Sequence, residues 1–366
     1  MKALVSILIP AFNAERWIAQ TLRSAIEQTW ESKEIIVVDD GSVDETVAIA
    51  RQFESDLVQV VRQSNQGAAA ARNKAFSLCR GDYVQWLDAD DLLAPDKIEK
   101  QMEALGGAES RRILLSSEWG RFIYRSERAK FVPTALWRDL SPAEWLVRRM
   151  GQNLYMQTAT WLVSRALSEA AGPWDTGLLS DDDQEYFCRV LLASDGVRFV
   201  PGARVYYRAS GYGSLSYIGT SEKKRQAHWR SIQLHIEYLR SLEDSERARA
   251  ACVKFVRDRM AVFYPEQMDI FRQAEELCSR LGGRLAAPRL PWKYAWIRPL
   301  FGWRLARHAQ WSLPKLRWSL IRLCDQAFYC LDGSRCAADR ATRKSVLPAA
   351  AQATMAAGDR SETAHR

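Results

Sequence analysis

The sequence predicts an α/β fold: a mostly parallel sheet flanked by helices in the Rossmann-like, nucleotide-binding manner, with a helical module after it. Three observations carry this. Short apolar runs rich in β-branched residues recur at 5–9, 35–38 and 58–61, the pattern of strands covered on both faces. Segments with helical spacing separate them, so strands alternate with helices, as a parallel sheet requires. Beyond Thr220 the strand pattern stops, and Ile232, His235, Ile236 and Leu239 fall on one helical face.

The elements follow in order. Val5, Ile7 and Ile9 open the first strand, and Asn13 is expected to cap a helix whose apolar face is Ile18, Leu22, Ala25 and Ile26. After the second strand, Asp39-Asp40-Gly41-Ser42 reads as a turn, with Ser42 and Glu45 as a capping box for the next helix. Val58, Val60 and Val61 form the third strand. An Ala-rich helix covers 68–78, and a fourth strand, 83–87, runs into Asp88-Ala89-Asp90-Asp91. Pro95 suits a first helical position. Between 111 and 218, apolar segments at 113–115, 158–163 and 197–200 continue the sheet.

Composition narrows the class. With 366 residues, 47% of them hydrophobic, the chain can bury a large core. The net charge of +8 comes from Lys and Arg that are scattered in the first half and gather toward the C-terminus, with no nucleic-acid reader motif, so a nucleic-acid partner is not expected. Seven cysteines without a Cys-x-x-Cys pair suit a reducing cytoplasm, and Cys324, Cys330 and Cys336 lack the partners of a zinc site. The first ten residues read as a buried strand rather than a signal peptide, and no run of 18 apolar residues exists. A cytoplasmic protein, soluble or peripheral at the inner face of a membrane, is expected.

Two acidic groups carry the candidate chemistry. In extended backbone Asp88 and Asp90 would point to one side at a strand end, where α/β sheets bind ligands, and two carboxylates facing one cation suit Mg²⁺ or Mn²⁺. The alternative is an acidic turn capping the helix near Pro95. Asp181, Asp182 and Asp183 open a segment with Phe187, Val190 and Leu191 at helical spacing; helix N-termini favour carboxylates, so a structural role is equally open there.

The order of motifs is more specific than any one of them. Val5-Ser6-Ile7-Leu8-Ile9-Pro10-Ala11-Phe12-Asn13, Val37-Val38-Asp39-Asp40-Gly41-Ser42, Asn65-Gln66-Gly67 with Ala71-Arg72-Asn73, and Gly81-Asp82-Tyr83 leading to Leu87-Asp88-Ala89-Asp90-Asp91 together resemble the family 2 glycosyltransferases of the GT-A fold. Gly172-Pro173-Trp174-Asp175, Asp182-Asp183-Gln184-Glu185 with Arg189, and Val205-Tyr206-Tyr207-Arg208 look like the acceptor half of that family. The resemblance implies a catalytic domain over 1–219, with a nucleotide-sugar half (1–105) and an acceptor half (106–219); the helical spacing beyond Thr220 predicts a helical module (220–345), and the Ala-rich, polar stretch without periodicity a disordered tail (346–366). It implies that Asp40 accepts a hydrogen bond from the nucleotide base and that Pro10, Ala11 and Asn13 line the base pocket. Asp88 would contact the ribose or share the metal, and Asp90 would ligate it. Arg72 would touch the diphosphate or, on its own chemistry, sit in a salt bridge. Asp183 corresponds to the catalytic base, with Asp182 where the family has Glu.

The implied reaction is transfer of a sugar from a nucleotide-diphosphate sugar, UDP-sugar favoured, to a saccharide or lipid-linked hydroxyl with inversion, in polysaccharide or glycolipid synthesis. Asp181 and Asp182 beside Asp183 would raise its pKa. The rival from another class is a non-catalytic carbohydrate- or partner-binding module on the same fold. A processive synthase would carry spanning helices and a Gln-x-x-Arg-Trp signature, whereas Arg317-Trp318 follows Pro314. A sugar nucleotidyltransferase or nicotinamide enzyme would need a glycine-rich turn where Pro10-Ala11-Phe12-Asn13 stands. Residues 291–322 mix Trp292, Trp296, Trp303, Trp311 and Trp318 with basic residues, which suits either a membrane surface or packing on the catalytic domain.

Overall fold

The structure, a computed structural model, describes residues 2–106, 111–209, 221–288 and 291–331. The first half alternates as the apolar runs require: β1 (Val5–Ala11), α1 (Ile18–Ile26), β2 (Lys33–Asp39), α2 (Thr46–Arg51), β3 (Val58–Arg62), α3 (Ala68–Leu78) and β4 (Tyr83–Trp86). After β5 (Leu92–Leu93) and α4 (Lys97–Leu105) come β6 (Ile113–Phe122), β7 (Lys130–Phe131) and α5 (Pro142–Gln152). Next follow β8 (Val163–Ser164), α6 (Arg165–Ala171), α7 (Asp182–Ala193) and β9 (Gly196–Arg208). The rest is helical: α8 (Glu222–Leu242), α9 (Glu246–Arg259), α10 (Met268–Arg280), α11 (Trp292–Ala295) and α12 (Ile297–Leu331).

One sheet runs β3-β2-β1-β4-β8, parallel except for β8, so β1, β2 and β4 all end on the same edge. Alternate residues serve opposite faces. Ile7, Ile9, Ile35 and Val37 pack with Ile18 and Leu22 of α1, while Leu8, Ile36 and Val38 pack with Ala71 and Ala75 of α3. Each such aliphatic side chain contributes roughly 1.5–3 kcal/mol by burial, and alanines let α3 approach the strands closely. A second sheet, β5-β9-β6-β7, places Leu92 opposite Tyr206, which draws the acidic turn of residues 88–91 against the end of β9. The larger apolar cluster runs without a break from Leu8 and Trp86 through Trp145 and Trp161 to Ile232, Phe255 and Phe271, so α8, α9 and α10 share a core with α5 and α7.

Local capping differs from the expectation in three places. Asn13 does not cap α1: it adopts φ +48° and accepts from the Val43 amide through Oδ1, while α1 begins later, at Ile18. Ser42 accepts from the Asn13 amide instead of forming a capping box, and the Asp44 carboxylate takes the Thr46 amide that opens α2. Those polar side chains tie the loops after β1 and β2 to each other, a contact between distant segments that local spacing does not encode. Pro95 precedes α4, whose N-cap is Asp96. Gly41 (φ +75°) lies so close to the loop after β3 that a Cβ would stand 2.8 Å from the Asn65 nitrogen, which only glycine permits. The tail expected at 346–366 lies outside the described residues.

Candidate active site

The site is assembled at the edge where β1, β2 and β4 end. Pro10 and Ala11 close β1, and the Ala11 carbonyl accepts from the Asp40 amide. Asp40 is buried, and its carboxylate takes three hydrogen bonds from the loop after β3: Gln63 Nε2 at 2.8 Å, the Gln66 amide at 2.9 Å and the Gly67 amide at 2.8 Å. A carboxylate offers about four acceptor positions, so one remains for a further donor. Asp39, which spacing did not single out, holds the Gly41 and Ser42 amides through Oδ2, while its buried Oδ1 has no partner.

The acidic turn has a different geometry from the one expected. β4 ends at Trp86, and the Asp91 amide donates back to the Asp88 carbonyl, so residues 88–91 form a turn and the extended alternation does not apply to Asp88 and Asp90. Nor does Asp91 cap a helix. It is fully buried, accepting from the Arg208 amide at 2.7 Å and from Gln157 Nε2. Burial, then the charges of Asp90 and Asp88, push its carboxyl well above the ordinary range. Arg208, sandwiched between the rings of Trp17 and Phe122, donates from Nε to the Asp90 carbonyl at 2.7 Å and fixes the turn from below. Among the described residues no three His, Cys, Asp or Glu side chains converge on a metal position.

Arg72 joins the two acidic groups. From α3 its guanidinium donates to Asp88 Oδ1 at 2.8 Å and to Asp182 Oδ2 at 2.9 Å, and it lies 4.4 Å over the Trp174 ring. Burial opposes its charge, but Asp88 and Asp182 outweigh burial and hold its pKa up. The salt bridge that the sequence left open for Arg72 is present.

Asp182 and Asp183 are the first residues of α7, behind Asp181 at φ +62°. The Asp181 carboxylate accepts from Ser231 Oγ of α8 at 2.8 Å, which anchors the helix start to the C-terminal helices. The Asp182 carboxyl is raised by burial, against the pull of Arg72. Asp183 is pushed up to about 6, by burial first and then by Asp182 and Asp181. Its Oδ2 accepts from Gln184 Nε2 at 3.0 Å and Thr158 Oγ1 at 3.4 Å. Gln184 cannot turn away, because its carbonyl accepts from the buried guanidinium of Arg149. Gln157, Thr158 and Arg149 were not legible as site residues, and Arg208 only as part of the 205–208 motif; the four come from three segments, at 149, 157–158 and 208, whereas Gln184 lies next to Asp183.

Residues 6–114 match the family model described as glycosyl transferase family 2. The putative teichuronic acid biosynthesis glycosyltransferase TuaG of Bacillus subtilis is 44% identical over 105 residues, which cover 28% of this chain and 42% of TuaG. Chondroitin synthase of Escherichia coli is 42% identical over 98 residues, covering 26% of this chain and 14% of the synthase. The matches thus span less than half of these relatives. The crystal structure of S. aureus TarS 1–349 in complex with UDP superposes with a TM-score of 0.60 at 17% identity, covering 85% of this chain and 91% of that one. A second TarS structure, in complex with UDP-GlcNAc, gives 0.55 at 18% identity, over 77% of this chain and 90% of that one. Residues 6–114 are thus a family 2 glycosyltransferase segment, and the chain has the GT-A fold.

Proposed function

We propose that the chain transfers a sugar from a nucleotide-diphosphate sugar to an acceptor hydroxyl in one in-line displacement with inversion, in the synthesis of a surface polysaccharide or glycolipid. The observation that carries this is the pair of acidic groups held together by Arg72, one at the strand ends and one at the start of α7. The unfilled Asp39 oxygen and the remaining acceptor position on Asp40 suit the N–H groups of a nucleotide base above Pro10, Ala11 and Asn13. The UDP bound in the TarS structures favours a UDP-sugar.

Asp183 is the base in this reading. Held by Gln184 and Thr158 through one oxygen, it presents the other to the acceptor hydroxyl and takes its proton as that oxygen attacks the anomeric carbon. The bond from that carbon to the diphosphate breaks, and the leaving group keeps the electron pair. Asp182 steadies Arg72 rather than reacting. A divalent cation suits the acidic turn in this reading, held by the hard carboxylate oxygens of Asp88 and Asp90. Mn²⁺ or Mg²⁺ held there would neutralise charge on the departing diphosphate.

The test is nucleoside-diphosphate release from UDP-, GDP- and dTDP-sugars with Mn²⁺ and saccharide or lipid-linked acceptors. Acceptor-dependent release from one donor, lost on Asp183→Asn with donor binding retained, is expected. A donor that binds with no release under any acceptor would identify a binding module instead.

A further inference from the structure

The last helix of the described residues, α12, has two faces of opposite character. Along one, Trp318, Arg322, Asp325, Gln326 and Tyr329 recur at helical spacing and dock on the catalytic domain. Asp325 accepts from the Tyr124 amide at 3.0 Å and pairs with Arg125 at 2.7 Å. The Tyr124 hydroxyl donates to Gln326, the Arg121 guanidinium lies over Trp318, and Gln20 donates to the Tyr329 hydroxyl at 2.9 Å. Gln20 in turn accepts from Arg208, the residue that holds the Asp90 carbonyl. The helix is thus two side chains from the acidic turn.

The opposite face bears Leu320, Leu323, Cys324, Ala327 and Leu331, which share one side at 100° per residue and include no charge. Leu320 is 57% exposed, Leu323 62% and Leu331 79%. Upstream, Trp292 and Trp296 are also exposed, 85% and 59%, so these tryptophans do not pack the module onto the catalytic domain. The side chains of Trp303 and Trp311 lie outside the described residues. Residues 291–331 contain seven Lys or Arg against Asp325 alone, and Asp325 is already paired with Arg125. No helix of the described residues is long and apolar enough to cross a membrane. A continuous apolar face on a strongly basic segment that does not span is the chemistry of a helix lying in the headgroup layer.

We propose that α11 and α12 form an interfacial membrane anchor, with the outward face of α12 seated on an anionic phospholipid bilayer and the docked face holding the acidic site beside it. The occupant is a bilayer rather than a protein because the surplus charge belongs to the same segment as the apolar face, and anionic lipid satisfies both at once. An acceptor carried in the membrane would then reach the site from the surface on which the enzyme rests. This inference does not depend on the chemistry proposed above, and its test reads binding alone.

The experiment is flotation of the full chain with vesicles of phosphatidylcholine, with and without phosphatidylglycerol, at low and high salt. Flotation with the anionic vesicles that weakens at high salt is expected. The double variant Leu320→Glu/Leu323→Glu should reduce it on the order of tenfold or more. Both positions are exposed, so its melting temperature and UDP-sugar binding should match the parent chain's, and the milder Leu320→Ser/Leu323→Ser should fall between. Equal flotation of variant and parent, or none of the parent on anionic vesicles at low salt, overturns the proposal. So does a dimer seen by light scattering that the variant dissolves, because a second copy would then cover the face.

Discussion

Replacing Asp183 by Asn should make the protein more stable and less active at once. Its carboxyl is pushed from an ordinary 3.8 to about 6 by burial and by Asp182 and Asp181. At ~1.4 kcal/mol per pH unit, ionising it in the fold costs roughly 3 kcal/mol, an upper figure because water reaches one side of the group. The sign follows from linkage: a carboxyl with a raised folded pKa binds its proton more tightly when folded. Its favourable contribution is complete below the unfolded value near 4 and lost as pH rises through about 6. Asparagine carries no charge at any pH and can still accept from Gln184 and Thr158. At pH 7.5 we predict that Asp183→Asn gains about 1–3 kcal/mol in urea unfolding, and that the gain vanishes by pH 4. Turnover should fall by about 10²–10⁴, as expected for loss of a general base, while nucleotide-sugar affinity holds. Parent turnover should rise with pH through about 6, as Asp183 loses its proton. A destabilised variant would refute the account of burial and repulsion, and unchanged turnover would refute the role of base.

Four further outcomes are expected. Arg72→Met leaves Asp88 and Asp182 facing each other without their cation and should cost about 3–5 kcal/mol, read as a lower urea midpoint; an unchanged midpoint would show that the bridge contributes nothing net. Gln184→Leu strands the Arg149 guanidinium and frees Asp183, so stability should fall by about 1–3 kcal/mol. Because the Gln184 hydrogen bond pulls the Asp183 pKa down, the turnover midpoint should also move to higher pH, and a fixed midpoint counts against the contact. Asp40→Asn can no longer accept from all of Gln63, Gln66 and Gly67 and should weaken both the fold, by about 1–3 kcal/mol, and UDP affinity measured by calorimetry. Chelation by EDTA should abolish transfer, Mn²⁺ should restore it, and Asp90→Asn should require a higher Mn²⁺ concentration; transfer that persists in EDTA removes the metal from the reaction.

Much of the first half was legible. The runs at 5–9, 35–38 and 58–61 became β1, β2 and β3, and residues 68–78 became α3, because both faces of that sheet are covered and apolar continuity is all a buried strand needs. The turn chemistry was less legible. Asn13 and Ser42 carry capping signals, yet each spends its hydrogen bonds on the neighbouring loop, and loops at adjacent strand ends compete for the same donors. Asp88 and Asp90 were correctly placed at a strand end, but the turn that follows Trp86 decides which way each carboxylate points.

The sequence by itself determined the α/β alternation, the strand ends that share one edge of the sheet and the two acidic groups with Asp183 at a helix start. Each of these is a local property, written in spacing and residue type. Only the tertiary structure decided that Arg72 bridges the groups, that Gln184, Arg149 and Thr158 position Asp183, and that one face of α12 docks while the other is left bare. Those contacts join segments up to about two hundred residues apart, as between Arg125 and Asp325. They raise or hold pKa values through burial and facing charge, and neither quantity exists until the chain has folded.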